Sequence, residues 1–257
     1  MSIITVDRTE LQAKVKDMYT AVAENPHGDF HFEMGRAMAE RLGYSPADLN
    51  RVPSEAIDSF AGVGHFFHLA ALHQGEHVVD LGSGSGMDAF VAALKVGPNG
   101  RVVGVDMTDA QLAKAERLAG AGGFDNLTCR KAYIEDTGLE AGTFDCVISN
   151  GVINLAPDKS RVFLEAARLL RSGGRLAIAD IVADSALPDN VVCNADLWAA
   201  CIGGAAQRIA YRAAIEAAGL TIERVEDSSE YQFISDRARR ATTKFGVKSV
   251  SVLARKP

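Results

Sequence analysis

One segment constrains this chain more than any other. Val78-Val79-Asp80-Leu81 is a short β-branched run, Gly82-Ser83-Gly84-Ser85-Gly86 follows at once, and a helical pattern opens at Met87. Glycine lets a backbone turn sharply and approach a ligand without a Cβ in the way. The helix that follows presents unpaired N–H groups at its start. A strand feeding such a turn and helix is the opening unit of a doubly wound sheet, in which ligands bind at the carboxyl ends of the strands.

The rest of the chain repeats that rhythm. Strands are expected at 78–81, 102–106, 127–133, 146–150 and 176–182, with helices at 87–96, 109–120 and 158–170 between them. Runs buried on both faces and joined by helix-length connections indicate a parallel sheet with helices on both sides. Late strands at 221–225 and 249–254 finish the sheet. A helix carrying Val191, Ala195 and Trp198 follows Pro188, another ends at the cap glycine Gly219, and residues 235–245 read as helix or loop. The first seventy residues contain no strand pattern. Leu11, Val15, Met18 and Val22 recur at helical spacing over 9–23, a second helix is expected at 33–42, and 43–53 is a turn-prone stretch. The expected organisation is therefore a helical cap over residues 1–72, through which substrate enters, and a main domain over 73–257 with inserted helices near 188–218.

Composition excludes several classes. No run reaches the roughly 18 apolar residues of a membrane span. Residues 1–7 do not resemble a secretory leader. The net charge of −6 argues against nucleic acid, whose binding is largely a Lys/Arg effect. Arg237, Arg239 and Arg240 read as a solvated helix face. The four cysteines form no CxxC pair, and the expectation is reduced thiols in the cytoplasm, with no metal site.

The glycine loop is not a dinucleotide loop, because the residue three past Gly84 is Met87. The strand before it ends in a carboxylate, Asp80, which a pyrophosphate would resist and a cation would accept. S-adenosylmethionine (SAM), with its sulfonium and amino group, fits that charge. The next strand ends at Asp106, 20 residues past Gly86, where a carboxylate can accept both ribose hydroxyls. Met107 then lies beside the adenine, Ile134 against its ring and Glu135 near its exocyclic amine. The cofactor-binding set is Asp80, Gly82, Ser83, Gly84, Gly86, Asp106, Met107, Ile134, Glu135, Asn150 and Val152.

Asp80 to Gly86, the string Gly104-Val105-Asp106-Met107-Thr108, Tyr133-Ile134-Glu135-Asp136, and Ile148-Ser149-Asn150-Gly151-Val152-Ile153-Asn154-Leu155 together resemble the arsenite methyltransferases. So do Ala179-Asp180 and Cys201-Ile202-Gly203-Gly204-Ala205. The resemblance runs from about Val52 to the end of the chain. It implies a class I methyltransferase, Rossmann-like fold with a seven-stranded, mostly parallel sheet, and methyl transfer from SAM to a lone-pair nucleophile, leaving S-adenosylhomocysteine. It also implies three arsenic-binding thiolates. This sequence has Val63 and Gly151 at two of those positions and keeps the third as Cys201. Soft arsenic loses much of its site with two sulfurs gone.

His65, His68 and Cys201 are the candidate catalytic residues. His27 and His31 are expected to line the pocket with them, and Tyr19 either closes over the cofactor or packs. Cys129 and Cys146 read as core. Three readings stay open: a small-molecule methyltransferase with a rebuilt substrate site, an arsenite methyltransferase with an altered thiol set, and a SAM-binding protein without catalysis. A monomer or homodimer is expected, with no nucleic-acid or membrane partner.

Overall fold

The computed structural model describes residues 8–188, 191, 203–234 and 236–257, with backbone alone at 236–238 and 241. The helix expected through Ala195 and Trp198 lies outside the described residues, as do Cys193 and Cys201.

Among the described residues, eight strands form one sheet: β1 (His77–Leu81), β2 (Arg101–Asp106), β3 (Leu127–Lys131), β4 (Phe144–Asn150), β5 (Leu170–Ala183), β6 (Ala206–Gln207), β7 (Thr221–Ser228) and β8 (Lys248–Arg255). The main order is β3-β2-β1-β4-β5-β8-β7. The first five run parallel, and β8 lies antiparallel between β5 and β7. The expected count of seven omitted β6, a two-residue strand that pairs with Val182 and Ala183, past the last residue of β5 that meets β4. Two residues are too few to leave a period in the sequence.

Helices α1 (Arg8–Glu24), α2 (Arg36–Leu42), α3 (Pro46–Leu49), α4 (Ser54–Asp58) and α5 (Phe67–Ala70) precede the sheet. Then come α6 (Met87–Val96), α7 (Asp109–Gly122), α8 (Lys159–Leu169), α9 (Arg208–Ala217) and α10 (Asp236–Phe245). The stretch taken as a turn, 43–53, holds α3, which Ser45 caps by accepting the Ala47 N–H. The third strand is shorter than expected. It ends at Lys131, and Tyr133 instead bridges Asp136 in a tight turn.

Burial follows the layers. One apolar cluster on the front of the sheet joins Leu11, Val15, Met38 and Phe60 from the N-terminal helices to Phe90, Val78 and Ile148. A second behind the sheet joins Val79, Leu81, Ile178 and Phe163. This alternation of neighbouring strand residues between two cores is what continuous apolar runs require.

Arg175 fastens the N-terminal helices to the sheet. It projects from β5 and is 8% exposed. Its Nη1 and Nη2 reach the two carboxylate oxygens of Glu76 at 2.9 and 2.7 Å, just before β1 begins. It also donates to the carbonyls of Ala70 and Ala71 at the end of α5. Removing it strands a mostly buried carboxylate and two helix-end carbonyls. Such a loss costs about 3–5 kcal/mol. Arg175→Met is therefore expected to lower the thermal midpoint by roughly 6–15 °C, read by calorimetry.

Candidate active site

The carboxyl ends of β1, β2 and β4 open into one cavity of about 1030 Å³, counting its mouth. Its sheet side is lined by Asp80, Gly82, Ser83, Gly84, Ser85, Asp106, Met107, Ile134, Glu135, Asn150 and Val152. Of the expected cofactor set, Gly86 alone does not line it; this residue caps the start of α6 instead. The opposite side is apolar and comes from the N-terminal helices: Val15, Tyr19, Ala56 and Phe60, with Leu155 and Pro157 beside them.

Each polar group on the sheet side is placed by the local backbone. Gly84 has φ +53°, a conformation that side chains disfavour, and its N–H points to Asp106 Oδ2 at 3.0 Å. Thr108 N–H donates to the other oxygen at 2.8 Å. Burial pushes the Asp106 carboxyl above its ordinary range, and these hydrogen bonds pull it partly back. Burial likewise raises Glu135.

Asn150 ends β4, where it was expected to face the ligand. It lines the cavity, but its carboxamide is occupied by protein. Its oxygen accepts Val63 N–H at 2.8 Å and Gly64 N–H at 3.3 Å. Its nitrogen lies 2.9 Å from Asp88 Oδ2 and 3.0 Å from both the Tyr44 hydroxyl and the Gly64 carbonyl.

Neither His65 nor His68, the expected catalytic pair, is among the residues that line the cavity. Ser249 and Ser251 of β8 donate to the carbonyls of Val63 and His65, and lay this segment over β8 instead. His65 packs edge-on to Tyr44 and stacks on His68. Burial draws its pKa down to about 4. His68 bonds Glu226 at 2.7 Å near the surface. His27 lines a separate groove beside Lys114 and Arg117, and His31 packs against Phe32. Tyr19 does line the cavity. Cys146 is fully buried and Cys129 partly so, as expected of core thiols, and burial pushes them up to about 12 and about 11.

Sequence reasoning passed over Tyr44, Asp88 and Gln111. Gln111 is 2% exposed on α7; it accepts the Ser85 hydroxyl and donates to the Tyr19 carbonyl at 2.9 Å. It shares the i, i+4, i+7 stripe of Ala115 and Leu118, and Asp88 interrupts an otherwise apolar helix start. A polar residue inside an apolar stripe was the available signal.

Positions 63 and 151 are neighbours. A Cβ built on Gly151, where φ is +71°, would stand 3.0 Å from Val63 Cγ1.

Three comparisons bear on this geometry. Residues 72–239 match the methyltransferase domain family. An arsenite methyltransferase of Halobacterium salinarum is 39% identical over 221 residues, 85% of this chain and 56% of that protein. The human arsenite methyltransferase is 41% identical over 137 residues, half of this chain and 36% of its own length. The chain thus spans about half the length, or less, of these curated relatives. The crystal structure of an arsenic(III) S-adenosylmethionine methyltransferase from Chlamydomonas reinhardtii superposes with a TM-score of 0.64 at 33% identity, over 87% of this chain and 74% of that one. A geranyl diphosphate methyltransferase with sinefungin shares the fold alone, at 19% identity and a TM-score of 0.67. The fold, the glycine turn and the acids near the ends of β1 and β2 are those of the class I SAM-dependent methyltransferases. Within that class the chain belongs to the arsenite methyltransferase-like family.

Behind the sheet, Asp180 is 1% exposed and accepts the Tyr211 hydroxyl at 2.6 Å and the Ile181 N–H at 2.8 Å. Burial lifts it from 3.8 to about 6. The folded state therefore holds this proton more tightly than the unfolded chain. The stability that follows is complete below about pH 4 and is lost as pH rises to about 6. Relative to Asp180→Asn, the wild type is expected to lose about 2–3 kcal/mol across that window, measured by urea midpoints at each pH.

Proposed function

We propose that this protein transfers a methyl group from SAM to a small, uncharged acceptor with an apolar body, and that its substrate differs from arsenite. The single observation that carries the cofactor half is Asp106. It is held at the end of β2 by Gly84 and Thr108 N–H groups, and it lines a cavity beside a glycine turn. In this reading Asp106 accepts the ribose hydroxyls. Met107 and Ile134 bound the adenine, and Glu135 lies near its amine. The glycine turn admits the methionine part.

SAM supplies a methyl group already activated by a positive sulfur. The chain's contribution is orientation and exclusion of water by Val15, Tyr19, Phe60 and Leu155. Residues 1–72 thus supply the substrate side and residues 73–257 the cofactor side.

The acceptor class rests on charge. Among the described residues, no lysine, arginine or histidine lines the cavity, while Asp80, Asp88, Asp106 and Glu135 do. Lys114 approaches through Ser59, but its ammonium is spent on Ser59 Oγ and the Ala23 carbonyl at 2.9 and 3.0 Å. Residues 189–202 contain no basic residue either. An anionic acceptor would find no cationic side chain there to pair with and several acids to repel it. A cytoplasmic location and a monomer or homodimer complete this reading; among the described residues Cys129 and Cys146 are unpaired and no helix is long and apolar enough to cross a membrane.

Asp106→Ala is expected to weaken SAM binding by about 1.5–3 kcal/mol, the loss of charge-assisted hydrogen bonds. Unchanged affinity by calorimetry, in a folded variant, would refute the ribose assignment.

The substrate half is tested at Val63 and Gly151. The wild type is expected to turn over no arsenite, with or without glutathione. Robust turnover abolished by Cys201→Ser would instead establish an arsenite enzyme with an altered thiol set. Gly151→Cys alone brings its Cβ to 3.0 Å from Val63 Cγ1, a tight contact that Val63→Cys eases, while the positive φ at 151 strains a side chain in both variants. The double variant is expected to be more stable than the Gly151→Cys single variant and to gain As(III) binding.

A further inference from the structure

The deep end of the cavity holds more acid than a ribose site uses. Asp80, at the end of β1, is 2% exposed, lines the cavity, and its Oδ2 has no hydrogen-bond partner. Asp88, in the first turn of α6, is 5% exposed and lines the same cavity. Its two oxygens are held differently from those of Asp80. The Tyr44 hydroxyl donates to Oδ1 at 2.5 Å, and the Asn150 carboxamide donates to Oδ2 at 2.9 Å. The start of a helix also favours its negative charge. Asp88 is thus built to stay ionised, and Asp80 is left bare beside it.

We propose that Asp80 and Asp88, with Tyr44 and Asn150 as positioning residues, are the seat of the cofactor's positive charge, and that this charge enters in exchange for a proton held by the pair. The inference rests on the SAM reading above and adds Asp88 and Tyr44 to it.

The groups facing the pair explain the exchange. Asp106 on β2 is a third acid and adds to the repulsion. Cys129 on β3 remains a neutral thiol, since burial and nearby acids push it up to about 11. Tyr44 remains a neutral phenol, and His65 behind it is uncharged above about pH 4. No cation therefore faces the pair among the described residues. Adjacent buried carboxylates without a cation cannot all ionise. Burial, with Asp88 and Asp106 nearby, holds Asp80 well above the carboxylate range, and burial lifts Asp88 to about 6. Near neutrality the pair keeps a proton on Asp80. A sulfonium and an ammonium placed against it supply the charge that the proton had supplied, and the displaced proton passes to solvent.

The test is calorimetric titration of SAM into the full chain at pH 6.5, in two buffers of different ionisation heat. At that pH an α-amino group, which titrates near 7.7–8.0, is already charged, so a released proton comes from the protein. The expected release is between roughly one half and one proton per SAM, with affinity falling by up to about tenfold when the pH drops from 6.5 to 5.5. In Asp80→Asn the release should fall to the smaller share that Asp88 carries, and the pH dependence should weaken with it. In Asp88→Asn the release should fall, because Asp80 then ionises without its neighbour. Tyr44→Phe removes a donor to Asp88 and should move the loss of affinity to higher pH. SAM binding without proton release in the wild type overturns the exchange and leaves the cofactor reading intact. Equal release in the wild type and Asp80→Asn overturns it as well. No SAM binding at all overturns both.

Discussion

The carboxamide of Asn150 is the point on which the rest of the site depends. It stands at the end of β4, accepts the Val63 and Gly64 N–H groups, and donates towards Gly64, Tyr44 and Asp88. Three parts of the chain meet there: the sheet, the first helix after the glycine turn, and the segment descending from the N-terminal helices. Because hydrogen bonds of one small amide must satisfy all three, their relative positions are narrowly set. The cavity is the space that remains between them. Its lower wall is the sheet, and its upper wall is helices packed on α6 and α7.

The electrostatics follow from the same layout. Parallel strands end in a row, and here β1 carries Asp80 as its last residue but one and β2 ends in Asp106. In a site of this kind acids come close together under apolar helices, and burial rather than pairing sets their proton affinity. That arrangement costs stability when the cavity is empty and recovers it when a cation fills the cavity. The same burial acts behind the sheet on Asp180, where the Tyr211 hydroxyl donates to the carboxylate.

The fold was legible because its strands are short, β-branched and regularly interrupted. Helix 87–96 was readable to the residue, since glycines bound it at both ends. The cavity's sheet side was legible for the same reason: Asp80, Asp106 and the glycines sit at strand ends, where the topology alone aims them. What the sequence hid was the other wall. Whether His65 faces the cavity depends on how a non-repetitive segment crosses β8, and Ser249 and Ser251, nearly two hundred residues away, hold that segment by the carbonyls of Val63 and His65. No local pattern encodes such a contact. Asn150 shows the same limit: its position was evident, but the partners that occupy its amide come from distant turns.

The crowding between positions 63 and 151 makes the two sites interdependent. A Cβ at 151 would stand 3.0 Å from Val63 Cγ1, so a side chain there requires the valine to give by a few tenths of an ångström. The positive φ of 151 favours glycine whatever stands at 63. A substitution at one position therefore changes what the other tolerates, and the effects of the two are not expected to add.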